Sequence, residues 1–309
     1  MRILVTGAAG FVGSHLAEAL VAAGHDVVGL DSFVDYYPRQ VKEQNLTGLL
    51  AQPGFQLVER DLRHDDLAAA IDGADAVIHL AAMAGLPRSW SEFSSYMECN
   101  LLGTQRLVEA ARSAAVRRFV HISTSSVYGR DAVGDETQPT HPVSPYGVTK
   151  LAAENLVQAF VETHGFPATI LRYFSIFGPR QRPDMAYNIF IEALLDGRPI
   201  TVFGDGEQSR TNTFVSDAVA ATIAALHQGE VGGVYNIGGG EPITVNEAIA
   251  VLATYLGTEP RIDHVAGRAG DQRRTDADTT RARRDLGFRP TVGPHEGLRA
   301  QADWQRGRR

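Results

Sequence analysis

One stretch near the start of the chain, RILVTGAAGFVGSHLAEAL (residues 2–20), restricts the fold more than any other. A strand-like run, RILVT, passes straight into Gly7, Gly10 and Gly13 and then into a helical pattern. Glycines at a strand-to-helix turn let the backbone bend sharply and approach a pyrophosphate, whose charge the free N–H groups of the helix start favour. The spacing is GxxGxxG rather than GxGxxG, and tight turning or packing alone would ask for the same glycines. Strand-like runs then recur as DVVGL (26–30), FQLVE (55–59), DAVIHLA (75–81), RRFVHIS (117–123) and ATILRYF (168–174). Helical patterns lie between them, to about Ala23, to about Ala114 and from about Tyr146 to His164. Strands that are apolar on both faces need helices on both sides, which predicts an α/β fold with a doubly wound parallel sheet.

With 309 residues the chain is long for one core, so a second, smaller lobe is expected. Beyond about Arg172 the alternation weakens, and the loops FGPRQRP, FGDGEQSR, NIGGGEP and VAGRAGDQRR take over. The predicted division is a nucleotide-binding domain over 1–172, to which 211–236 returns, and a smaller α/β lobe made mainly from 173–309. The formal charge of −7 argues against a general nucleic-acid binder, because phosphate-backbone affinity needs clustered Lys and Arg. Cys99 is the only cysteine, so no internal disulfide can form. A strand-like start without a leader, and no apolar run of about 18 to 20 residues, lead to the expectation of a soluble, cytoplasmic protein without a membrane partner.

Asp31 stands at the end of the second strand, eighteen positions after Gly13. A carboxylate at about this offset holds the adenosine ribose hydroxyls and would repel a 2′-phosphate, which favours NAD over NADP; the lesser alternative is an Asp that caps the next segment. Asp61-Leu62 and Leu80-Ala81-Ala82 lie at further strand ends, where ligands of open α/β sheets sit.

SPYGVTK carries Tyr146 and Lys150 one helical turn apart. A phenol with a pKa of about 10 is a poor base at neutral pH, and a nearby ammonium favours its phenolate. Just upstream, HISTSSVYG sets four hydroxyls in a row, Ser123, Thr124, Ser125 and Ser126, at the end of a strand.

Together these segments resemble the extended short-chain dehydrogenase/reductases of the NAD-dependent sugar epimerase/dehydratase family. TGAAGFVGSH, LDSF, HLAA, STSSVYG, SPYGVTK, LRYFSIFGPRQRPDM, VFGDGEQSR and NIGGG all fall in the family's order. The resemblance implies a Rossmann-type domain holding NAD against Gly7, Gly10, Phe11, Val12, Gly13, Asp31, Lys42, Asp61, Leu62, Leu80, Ala81, Ala82, Tyr146 and Lys150. It also implies a catalytic set of Thr124, Tyr146 and Lys150, a nucleotide-diphosphate sugar in the cleft, and a homodimer built on helices around 93–114 and 146–164.

The residues after Thr124 separate reaction types. Relatives that dehydrate the sugar carry Asp-Glu there, and relatives that decarboxylate UDP-glucuronate usually carry Ser-Glu. This chain has Ser125 and Ser126, which leaves oxidation at C4 and reduction on the opposite face, an isomerase reaction. The run from Arg172 to Tyr187 looks most like the UDP-glucuronate 4-epimerases. On that likeness Ser125, Ser126 and Ser175 would donate to a C6 carboxylate with Arg182 nearby, although Arg180 and Arg182 could instead pair with acids. The resemblance also suggests Arg210 and Arg268 for the diphosphate and Phe203 beside the uracil.

Two segments depart from the glucuronate pattern. GLPRSW (85–90) has its Arg moved by one position, and Thr211-Asn212-Thr213 stands where Asp-Phe-Thr is usual. The alternatives are therefore a UDP-glucose/UDP-galactose 4-epimerase, a UDP-glucuronate decarboxylase, and a non-catalytic NAD-binding regulator.

Overall fold

The apolar runs become a seven-stranded parallel sheet in the computed structural model, which describes residues 1–267 and 274–309. The chain opens with β1 (Arg2–Thr6), α1 (Phe11–Ala22), β2 (Asp26–Asp31), α2 (Arg39–Leu46), β3 (Phe55–Glu59), α3 (Ala68–Ile71) and β4 (Ala76–His79). Next come α4 (Leu86–Ser91), α5 (Phe93–Met97), a π-helical turn (Glu98–Leu102) and α6 (Gly103–Ser113). They lead to β5 (Arg118–Thr124), β6 (Asp131–Gly134), α7 (Pro145–His164) and β7 (Ala168–Tyr173). After these lie β8 (Ile176–Phe177), α8 (Ala186–Asp196), β9 (Ile200–Phe203), β10 (Ser209–Thr211), β11 (Thr213–Phe214), α9 (Val215–Gln228) and β12 (Val234–Ile237). The chain closes with β13 (Pro242–Thr244), α10 (Val245–Leu256), β14 (Ile262–Val265), β15 (Arg274–Ala277), α11 (Thr280–Leu286) and α12 (Pro294–Arg306).

The large sheet runs β12-β7-β5-β4-β1-β2-β3 with every pairing parallel. Strand direction of travel reverses between β1 and β4, and in such sheets the ligand crevice opens above that switch. Successive side chains point to opposite faces, so each strand feeds two cores. Ile3, Val5, Val27, Ile78 and Val120 pack with Leu16, Leu20, Ala218 and Leu226 of α1 and α9. On the other face Leu4, Val28, Val77, Phe119 and Ile170 pack with Leu107, Val108 and Val157 of α6 and α7. Burial of each such side chain stabilises by about 1.5–3 kcal/mol, which is why the strand sequences read as continuous apolar runs.

At the C-terminal strand ends the α6/α7 face turns polar. Thr6 stands opposite His79, and His79 opposite His121; two residues farther on, Ser123 stands opposite Arg172, and Arg172 opposite Asn236. All six are buried. This polar row lies beneath α6, whose Thr104 bonds His79, and α7, whose Glu154 bonds Ser123 and Arg172.

A smaller core gathers Tyr187, Phe190, Ile191, Ile200, Ile249, Leu252 and Leu298 from α8, β9, α10 and α12. β12 joins the large sheet beside β7, and Ala282, Leu286 and Phe288 from α11 and just beyond it join the large core. The chain after 237 is thus shared between two cores rather than confined to the smaller one. Four large apolar side chains on α4, α5, the π-turn and α7 stay in solvent: Trp90, Phe93, Leu102 and Val148. Among the described residues no helix is long and apolar enough to cross a membrane, and no group of His, Cys, Asp and Glu could hold a metal ion.

Candidate active site

A cleft of about 1280 Å³ opens above the C-terminal strand ends, between the two cores. A pocket for one drug-sized ligand spans about 300–1000 Å³, so this cleft has room for a dinucleotide and a second ligand.

Its nucleotide end is built from backbone. Gly7 sits at φ 72°, and a Cβ on Gly13 would lie 2.1 Å from the Gly7 carbonyl oxygen, so a side chain at 13 would displace the turn. Gly10 is the N-cap of α1, and Phe11 and Val12 in its first turn line the cleft. At the end of β2 Asp31 accepts from the Ala9 N–H (3.1 Å) through one oxygen, and from the Phe33 N–H (2.8 Å) and Lys42 Nζ (3.2 Å) through the other. Leu80, Ala81 and Ala82 line the opposite wall, where the Ala81 N–H donates to Thr6 Oγ1 (3.2 Å). Asp61 and Leu62 lie at the end of β3 and also line the cleft. Burial pushes the Asp61 carboxyl up, but hydrogen bonds from Arg63 outweigh it and hold the group below its ordinary value. A cradle that a Cβ would fill, beside a buried carboxylate, fits a dinucleotide with a free ribose diol.

The chemical end depends on how α7 starts. Ser144 accepts from the Gly147 N–H (3.1 Å) and Pro145 occupies the first helical position, which places Tyr146 in the first turn. Asn100 in the π-turn donates to Thr149 Oγ1 (3.0 Å), and Thr149 donates to the Tyr146 carbonyl (2.9 Å). Burial pushes the Tyr146 phenol above its ordinary value, while hydrogen bonding with Thr124 and the charge of Arg182 pull it back. Thr124 ends β5 and accepts from the Ser126 N–H (3.2 Å), capping the short turn that carries Ser125 and Ser126. Lys150 is 3% exposed; burial presses its ammonium down to about 8, against the pull of Glu154. Its Nζ donates to the Ile122 carbonyl (2.6 Å).

Elsewhere in the cleft wall, Ser175 follows β7 with φ 33°, a left-handed conformation that a non-glycine residue rarely takes. Arg182 lines the cleft and forms an ion pair with Asp184, its guanidinium 5.5 Å from the Tyr36 ring. Arg180 is drawn away to Glu18 (2.7 Å) and Ser14 (3.2 Å) on α1. Phe203 at the end of β9 and Arg210 on β10 line the wall of the smaller core, and Arg268 lies outside the described residues.

The two departing segments have distinct fates. Arg88 of GLPRSW bonds Glu92 and the carbonyls of Tyr36 (3.0 Å) and Asp35 (3.3 Å), so it braces the loop after β2. Asn212 lines the cleft and donates to the Tyr187 hydroxyl (2.7 Å). Sequence reasoning singled out the segment of Asn212 but missed Tyr36, Asp184 and Tyr187 as wall residues. Asp184, two residues after Arg182, was the one with a readable signal; Tyr36 reaches the cleft through a loop whose path no local pattern specifies.

Known proteins resemble this chain over its whole length. Residues 3–238 match the NAD dependent epimerase/dehydratase family. The Bacillus subtilis (strain 168) protein YtcB, an uncharacterized UDP-glucose epimerase, is 40% identical over 96% of each chain. A UDP-glucuronate 4-epimerase from Thermodesulfobacterium geofontis (strain OPF15) is 33% identical over 98% of this chain and 95% of its own. The crystal structure of UDP-glucuronic acid 4-epimerase from Bacillus cereus, in complex with UDP-glucuronic acid and NAD, superposes with a TM-score of 0.97 at 39% identity over 100% of both chains.

Proposed function

The chain belongs to the NAD dependent epimerase/dehydratase family, and from that premise we propose that it interconverts UDP-glucuronate and UDP-galacturonate by NAD-dependent 4-epimerisation. One observation carries the reading. Thr124, Tyr146 and Lys150 lie at one end of a two-ligand cleft beside Ser125, Ser126 and Ser175, so hydroxyls stand where elimination of water would call for an acid and a base. The whole-length likeness to UDP-glucuronate 4-epimerases supports the choice of sugar.

Gly7, Gly10, Phe11, Val12, Gly13, Asp31, Lys42, Asp61, Leu62 and Leu80–Ala82 would hold the dinucleotide. When bound, the nicotinamide supplies the acceptor and donor of hydride for C4. Tyr146 takes the proton of the C4 hydroxyl and returns it at the close of the cycle, with Thr124 sharing the hydrogen bond. Lys150 favours the phenolate that burial disfavours. The 4-keto sugar is a β-keto acid prone to lose CO2; Ser125, Ser126 and Ser175 restrain its carboxylate by stabilising the charge that cleavage would disperse, and Arg182 adds a cation. Phe203, Arg210 and Arg268 serve the uridine diphosphate.

Exposed Trp90, Phe93, Leu102 and Val148 support a homodimer through α4 to α7, and we place the protein in the cytoplasm. A second reading, 4-epimerisation of a neutral UDP-hexose, is favoured by the 40% identity to YtcB. The C4 chemistry is tested by turnover in D2O. Product without deuterium at C4 supports oxidation and return of the same hydrogen; deuterium at C4 would rule that route out.

A further inference from the structure

The polar row beneath α7 contains an ion pair that no step above uses. Glu154 lies one turn beyond Lys150 on α7 and is 2% exposed. Arg172 reaches it from β7, with Nε 3.1 Å from both carboxylate oxygens and Nη2 2.7 Å from Oε2. The Ser123 hydroxyl also donates to Glu154. The far side of the guanidinium donates to the Tyr128 hydroxyl (2.8 Å), which donates to Asn236 Oδ1 (2.7 Å). Bonded on every side, the pair cannot swing towards solvent.

We propose that the Glu154–Arg172 pair sets the ionisation of Lys150, its two members acting in opposite senses: Glu154 holds the ammonium charged and Arg172 limits that hold. Residues four apart on a helix are neighbours, and a charge at that range in a buried site is strongly felt. The charged or titratable groups felt at Lys150 are Glu154 on its own helix, His79 on β4 and His121 on β5, with Arg172 on β7 behind Glu154; Tyr146 stands one turn earlier on α7, and the charge of Arg182 reaches it. Burial first, and then the charge of Lys150, keep both histidines neutral. Among the described residues the hydrogen-bond partner of Nζ is the Ile122 carbonyl, which is uncharged. Glu154 is therefore the carboxylate that balances the buried ammonium, and Arg172 competes for it. Both are positioning residues, since they act through Lys150.

The effect on turnover rests on reading Lys150 as the cation that serves Tyr146, but the ionisation can be measured without any sugar. The chain has two lysines, Lys42 and Lys150. The NAD-loaded protein labelled with 13C at lysine Cε therefore gives two lysine signals, with Lys42 identified by its loss in Lys42→Arg. Titrated through the alkaline range, Glu154→Gln should lower the Lys150 midpoint and Arg172→Gln should raise it, each by about one unit. Arg172→Lys, which keeps the charge, should leave it near wild type. A mere structural brace gives shifts of one sign or none, and either result overturns the proposal. If Glu154→Gln does not fold, Arg172→Gln decides: a rise supports the pair's role and no rise overturns it. If the midpoints move as expected while the alkaline limb of turnover does not follow, the electrostatic proposal stands and the catalytic reading of Lys150 falls.

Discussion

Arg182 and Asp184 form a two-point ion pair in the wall of the cleft, with Nε and Nη2 each 2.9 Å from a separate carboxylate oxygen. The cation assigned to the substrate's C6 carboxylate is therefore already engaged, and a bound glucuronate must share it. Asp184→Asn weakens the competitor, so KM for UDP-glucuronate should fall relative to that for UDP-glucose. The pair is partly exposed, which limits the expected gain to about 1 kcal/mol, or roughly fivefold. Steady-state kinetics on both sugars checks this, and an unchanged KM ratio would remove Arg182 from the carboxylate site.

Ser175 holds a left-handed backbone at φ 33° where the proposed carboxylate sits. Ser175→Ala keeps that backbone requirement and deletes only the hydroxyl. Loss of one hydrogen bond to a charged group, about 1.5–3 kcal/mol, should reduce kcat/KM for UDP-glucuronate by at least about tenfold and that for UDP-glucose much less. Equal losses on the two sugars would contradict the assignment.

The turn at Gly13 leaves no room for a methyl group, since a Cβ would meet the Gly7 carbonyl oxygen at 2.1 Å. Gly13→Ala must shift the cradle, so the purified variant should carry little or no NAD, as read from nucleotide released on denaturation. Wild-type NAD content in a folded Gly13→Ala protein would count against this turn as the cofactor site.

Lys150 links activity and stability to pH with opposite signs. Burial presses the pKa of its ammonium from the ordinary 10.5 down to about 8, so the folded protein gives up this proton earlier. Between these values the unfolded chain binds the proton more tightly, so this group's burial costs stability below pH 8 and the cost is relieved as pH rises. The relief amounts to about 3 kcal/mol. Stability of wild type minus that of Lys150→Met, from denaturant unfolding, should therefore increase from pH 8 to 10.5, while turnover falls around pH 8 as the folded protein loses the ammonium. A flat difference would contradict the buried ammonium.

Features written in local backbone chemistry were legible in the sequence. The glycine turn, Asp31 at the end of β2 and the Tyr146/Lys150 spacing each depend on short-range geometry, and each lines the cleft. Contacts made across the fold were not legible. Glu154 and Arg172 meet only because α7 packs on β7, and Lys150 reaches the Ile122 carbonyl only because α7 also packs on β5. The sequence shows Arg88 only as an arginine moved by one position; its partners Asp35 and Tyr36 come from a loop whose path is set by tertiary structure. The helix α11 reads as part of the C-terminal lobe because it is distant in sequence, yet its Ala282 and Leu286 complete the large core.

The most direct test of the account is to incubate the purified protein separately with UDP-glucuronate and UDP-glucose, and to follow inversion at C4 and release of CO2 together by NMR. UDP-glucuronate should be converted to UDP-galacturonate without CO2, at a kcat/KM well above that for UDP-glucose. Turnover of UDP-glucose with none of UDP-glucuronate, or CO2 released in step with turnover, would contradict it.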